Sequence, residues 1–178
     1  MGKRAVWAVG LLLLLGRSGI AGEPTPLEAA LTRGDYASAL GLLMPLAVAG
    51  RPDAEYRLCR LYSSGTGVPQ NDALEFAWCR DAAEQGYPPA QYELAQLYAT
   101  GIGTPLDYSW AYVWANIAVA RLPPGAERQA AIHFRDFAEN RLTWPQIMAA
   151  QQVALLWQPK PPQPPRSVLL SIPPAALP

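Results

Sequence analysis

Cys59 and Cys79 lie on either side of a Gly65-Thr66-Gly67 triplet. Residues of these types can build a metal or redox thiol site, a glycine loop that cradles phosphate, or a covalent staple between two elements. The separation of 20 residues is unlike a C-x-x-C redox motif, and a metal site needs further ligands. Two readings of the pair therefore stay open: a disulfide across a hairpin, or two buried thiols. His133 is the only histidine, with Asp136 and Glu139 following at i+3 and i+6 but no nucleophile positioned beside it. Asp72, Glu75, Asp81 and Glu84 read as solvated faces or ion pairs with Arg80, because nothing in the sequence places them in the apolar cleft that acid-base chemistry needs.

A phosphate loop occurs once and follows a strand, whereas a joint in a repeat protein recurs. The stretch from Ala54 to Arg80 aligns without a gap on Ala90 to Asn116, an offset of 36. Tyr56, Leu58, Leu61 and Tyr62 match Tyr92, Leu94, Leu97 and Tyr98, and Gly65, Gly67, Pro69 and Trp78 match Gly101, Gly103, Pro105 and Trp114. The glycines recur, follow a helical pattern and precede no Lys-Ser or Lys-Thr. They are repeat joints, and neither a Walker loop nor a dinucleotide fingerprint fits.

Ala54, Leu58, Leu61 and Tyr62 fall at i, i+4, i+7 and i+8, one side of a helix, and Ala90, Leu94, Leu97 and Tyr98 repeat the stripe. Gly65 and Gly101 close these first helices, since glycine accepts the left-handed conformation of a helix end. Asp35, Asn71 and Asp107 share one phase as caps of second helices. Pro52, Pro88 and Pro124 share another, before first helices. The inward side of the second helices is expected to hold Ala73, Phe76, Ala77 and Ala83 in one copy and Ser109, Tyr112, Val113 and Val119 in the next, with Trp78 and Trp114 filling the wider gaps. In the same frame Cys59 and Cys79 take the places of Ala95 and Ala115, so both positions demand a small residue. His133 aligns with Leu61 and Leu97 and is expected to be a partly buried packing residue.

On these residues the sequence resembles the Sel1-like repeat family, relatives of tetratricopeptide repeats; the pattern A-x-x-x-L-x-x-L-Y-x-x-G-x-G followed by a polar cap and a helical tryptophan carries the likeness. The resemblance implies an all-α solenoid of antiparallel helix pairs whose concave side receives a peptide or partner protein. Full repeats are expected at about 54–89 and 90–125, within a domain of about eight helices spanning 22–157. Flanking residues form caps: the first unit lacks the Gly-x-Gly joint, and in the last one Leu122 replaces the glycine expected from Gly86. A terminal helix is expected after Thr143, with Gln146 closing a capping box and Ile147, Gln151, Ala154 and Leu155 along one side.

Residues 1–21 have a basic start at Lys3 and Arg4, an apolar run from Ala5 to Leu15, and small residues at Gly19 and Ala21, the layout of an export signal. Its removal leaves 11 Lys and Arg against 14 Asp and Glu, a weakly acidic chain without a basic run, which speaks against nucleic-acid binding. No stable membrane span is expected after cleavage. Residues 158–178 are too proline-rich for helix and read as a tail, with "SVLLSI" as a segment that could dock.

The functional expectation is non-catalytic binding of a protein or peptide in the bacterial periplasm, without cofactor or metal. Tyr56, Arg57, Arg60, Tyr92 and Glu93 are the candidate contact residues, as aromatic and arginine side chains supply area and directed hydrogen bonds; for the tyrosines, packing is an equal reading. An envelope-acting hydrolase and a self-associating module are the alternatives.

Overall fold

The computed structural model describes residues 25–162, and the expected export signal and the "SVLLSI" segment lie outside them. Eight helices follow one another among the described residues: α1 (Pro26–Thr32), α2 (Tyr36–Val48), α3 (Pro52–Ser64), α4 (Asp72–Glu84), α5 (Pro88–Thr100), α6 (Tyr108–Arg121), α7 (Ala126–Glu139) and α8 (Trp144–Leu156). They form an all-α solenoid of antiparallel pairs in which α3–α4 and α5–α6 are the two full repeats.

The local signals act as their chemistry requires. Asp35, Asn71 and Asp107 each accept a hydrogen bond from a first-turn N–H, at 3.1 Å from Ser38, 3.0 Å from Leu74 and 2.8 Å from Ser109. Gly65 and Gly101 close α3 and α5 in the left-handed region. The second glycine of each joint does something further. Gly67 (φ +76°) and Gly103 (φ +65°) bring their backbones against the second helix of the preceding unit: a Cβ on Gly67 would collide with Tyr36, and one on Gly103 with the Asp72 carbonyl and, at 2.7 Å, with Phe76. Glycine at these positions therefore seats one hairpin on the next.

The core is built from the repeated stripe. Leu58, Leu94, Ala90 and Ala54 are buried with Trp78 and Trp114, so both tryptophans are structural. Cys59 and Cys79 are joined in a disulfide between α3 and α4, Cα to Cα 5.2 Å, and both are fully buried. Ala77, Ala83, Tyr112 and Val113 face inward as expected, Phe76, Ser109 and Val119 are half-buried, and Ala73, in the exposed first turn of α4, does not face inward at all.

The last unit departs from the period. Gly50 (φ +76°) and Gly86 (φ +92°) reverse the chain after α2 and α4, but Leu122 leaves α6 in an extended conformation. Pro123, Pro124 and Gly125 then delay the next helix by two residues against α3 and α5. In α7, Ala131 is buried like its equivalents Cys59 and Ala95, and Ala138 is buried with Phe134 half-buried, while Ala126 is exposed. His133 is exposed too, contrary to the packing role expected from its alignment with Leu97. α8 packs chiefly on α6. Its capping box forms, the Thr143 N–H donating to Gln146 at 2.9 Å, and Ile147 and Ala150 make its buried side. Gln151 instead donates to the Tyr112 hydroxyl at 3.0 Å, and Leu155, 77% exposed, is outside the packed stripe.

Candidate functional site

Along α3 and α5 the period places Tyr56 and Tyr92 at equivalent positions, and each ring bridges a seam between units. Tyr56 packs on Tyr87, ring centroids 5.4 Å apart, and Tyr92 meets the edge of Phe134 of α7 at 5.9 Å. Both tyrosines are half-buried. Burial pushes the Tyr56 hydroxyl up to about 12, with the Glu93 carboxylate adding to the effect and Arg60 opposing it. The Tyr92 hydroxyl is raised as well, first by burial and then, against a hydrogen bond with Gln96, by Glu93 and Glu127. Packing is thus established for both rings.

Between the tyrosines an ion pair crosses the seam: the Arg60 guanidinium of α3 donates to Glu93 of α5 at 3.1 Å. Arg60 is largely exposed while Glu93 is mostly covered, so the pair orients two side chains more than it stabilises the fold. Glu75 of α4 lies close enough to feel both members. It is 3% exposed, not the solvated acid expected from the sequence, because its turn of α4 faces Ser63 of α3. Burial raises its carboxyl above the ordinary range, Glu93 and Asp72 raise it further, and the Ser63 hydrogen bond and Arg60 oppose. The result is a face formed by α3, α5 and α7 with anchored aromatic rings and the acids Glu93 and Glu127 near Arg60, while Glu75 of α4 is buried beneath it.

Four of the five candidate contact residues, Tyr56, Arg60, Tyr92 and Glu93, come together on this face. Arg57 does not: one residue beyond Tyr56 the helix has turned away, and Arg57 lines a cleft of about 550 Å³ with Leu27, Leu42 and Leu46 at the N-terminal end. Among the other acids, Glu84 pairs with Lys160 at 3.1 Å, and the Arg80 guanidinium lies over the Phe76 ring at 5.5 Å. Asp136 pairs with Arg135 beside the exposed His133. Among the described residues no group of three or more His, Cys, Asp or Glu could hold a metal ion, and no described helix is long and apolar enough to cross a membrane.

Sequence reasoning missed Tyr87, Phe134 and Glu127. Tyr87 occupies the phase of Arg51, so the repeat hides it, and Phe134 and Glu127 lie on α7, outside the two full repeats.

A family model for the Sel1 repeat matches residues 52–87 and 88–121, the same period of 36 found in the sequence. Among solved structures, a protective antigen present in uropathogenic Escherichia coli strains and displaying an SLR fold superposes with TM-score 0.64 at 25% identity, covering 72% of this chain and 28% of that one. A Sel1 repeat protein from Oxalobacter formigenes superposes with TM-score 0.58 at 21% identity, covering 72% of this chain and 53% of that one. The chain thus spans about a quarter and about half the length of these two proteins. No curated relative matches it. The fold is a Sel1/tetratricopeptide-like repeat fold, and the Sel1 repeat model falls on each of the two full hairpins. Repeat scaffolds of this type typically serve protein–protein interaction.

Proposed function

We propose that the protein binds a partner protein or peptide across the face of α3, α5 and α7, outside the cytoplasm. The observation that carries this reading is the Arg60–Glu93 pair, exposed at its arginine end and flanked by tyrosine rings already immobilised between units. Rings and charges fixed before binding lose little freedom when a partner arrives. The exposed Glu127 carboxylate beside the Arg60–Glu93 pair favours a basic segment of that partner. Export is supported by the layout of residues 1–21 and by the buried Cys59–Cys79 bridge, which suits an oxidising compartment such as the periplasm.

Affinity capture from envelope extract with the full chain tests this, set against a Glu93→Gln/Glu127→Gln variant. A partner held by the wild type and released by added salt should be depleted about fivefold by the variant, with an unchanged helical circular dichroism spectrum. Equal recovery by both forms would remove the face from the account.

Self-association is favoured by a separate observation, exposed apolar side chains at the two ends of the described solenoid: Leu42 and Leu46 on α2, Leu155 and Leu156 on α8. Sedimentation of the full chain over a range of concentrations distinguishes it, since a constant monomer mass excludes it.

A further inference from the structure

The chain does not leave the fold where α8 ends. Trp157 turns back in an extended conformation, and its indole meets Trp114 of α6 edge-on, centroids 5.7 Å apart. The Arg121 guanidinium lies over the Trp157 ring at 4.6 Å. Pro159 follows against Gly86, where a Cβ would come within 3.3 Å of the proline ring. Lys160 then makes two contacts with the end of α4: its backbone N–H donates to the Glu84 carbonyl at 2.7 Å, and its ammonium lies 3.1 Å from the Glu84 carboxylate. The last carbonyls of a helix have no partner within the helix, and its C-terminal end favours positive charge, so a lysine arriving with both its N–H and its ammonium fits this position twice over. A cleft of about 440 Å³ bordered by Asn116, Ile117, Arg121 and Gln151 continues the channel beside Trp157.

An indole held by a second indole and a guanidinium, a proline on a bare backbone and a cation on a carboxylate, joined by a main-chain hydrogen bond, are the contacts by which a protein reads an extended peptide. We propose that the edge where α4 and α6 end is a peptide-binding site for an extended Trp-x-Pro-Lys segment, separate from the face of α3, α5 and α7, and that Trp157–Lys160 is its ligand in cis. A peptide of the same chemistry added in trans reaches the site only when this strap lifts, so its apparent affinity falls by the fraction of molecules with the strap released.

The test uses the full chain and a fluorescently labelled peptide corresponding to residues 156–162. Fluorescence anisotropy should show saturable binding to a Trp157→Ala/Lys160→Glu variant, binding at least about tenfold weaker to the wild type, and loss of binding when Glu84→Lys is added to the variant. Equal affinity for wild type and variant would overturn the proposal. So would absence of binding to a variant that keeps the wild-type circular dichroism spectrum. Hydrogen exchange on the unmodified protein supplies a readout independent of how the variants fold: the Lys160 amide should exchange at least about tenfold more slowly than an unstructured one, and an unprotected amide there contradicts the docked strap.

Discussion

In α3–α4 the positions where the two helices meet are Cys59 and Cys79, and in α5–α6 the same two are Ala95 and Ala115; all four are fully buried. One hairpin carries a covalent bridge, the other carries two methyl groups, and the frame is the same. Small volume at the crossing is thus what the hairpin needs, and the bridge adds its effect by restricting the unfolded chain. α7 makes the converse point. It keeps the composition of a first helix and buries Ala131 where Cys59 and Ala95 are buried, yet without a left-handed glycine at Leu122 it starts late and leaves Ala126 and His133 exposed.

The largest effect is expected at the seam both full hairpins share. Gly103→Ala forces a side chain into the Asp72 carbonyl and imposes a left-handed conformation on an alanine, which should cost about 3–5 kcal/mol, read by urea unfolding. A loss under about 1 kcal/mol would mean the hairpins are not seated through this glycine.

Next comes the contrast between a regular and a shifted first helix. Leu97→Ala should lose about 3 kcal/mol, as it empties a buried site, whereas the aligned His133→Ala should change stability by less than about 0.5 kcal/mol. Similar losses at both positions would show that α7 holds the same phase as α5 after all.

That contrast also marks what the sequence conveyed. Caps, glycine joints and paired tryptophans act within a few residues of themselves, so spacing alone revealed Asp35, Asn71 and Asp107, Gly65 and Gly101, and the two tryptophan helices. The cysteines could be placed at a crossing, but whether they were bridged depended on a distance between two helices. The late start of α7 depended on three consecutive residues, Pro123, Pro124 and Gly125, that interrupt a period rather than follow it. Glu75 was misplaced for a related reason, and Arg57 lies apart from the other candidates for the same one. The alignment gives a residue's equivalent but not which neighbouring helix covers it, and Glu75 is covered by α3. The Trp157 strap makes its contacts with α4 and α6, far away in the chain, and leaves no local pattern.

Replacing the bridge should cost somewhat less than emptying a core site. Cys59→Ala/Cys79→Ala gives α3–α4 the crossing already found in α5–α6, so the fold should persist with stability lowered by about 2–3 kcal/mol, the cost of releasing a loop of this size in the unfolded chain.

The smallest effect concerns charge. The Glu75 carboxyl is raised in the folded protein, so its protonated form supports folding: that support is present below the unfolded value near 4.5 and disappears as pH rises through the higher folded value. Glu75→Gln should therefore match the wild type near pH 4 and become the more stable of the two as pH approaches 7, a divergence visible in thermal melts at the two pH values. The opposite ordering at neutral pH would show that Arg60 and Ser63 outweigh burial.

Residue-resolved hydrogen exchange on the Cys59→Ala/Cys79→Ala protein addresses the shared frame most directly. The amides of α3–α4 should remain protected, at a level approaching that of α5–α6, because packing of small residues holds both hairpins. Exchange of α3–α4 at unstructured rates beside a protected α5–α6 would contradict this, and would mean that the first hairpin is held by its sulfur bridge and not by the repeat.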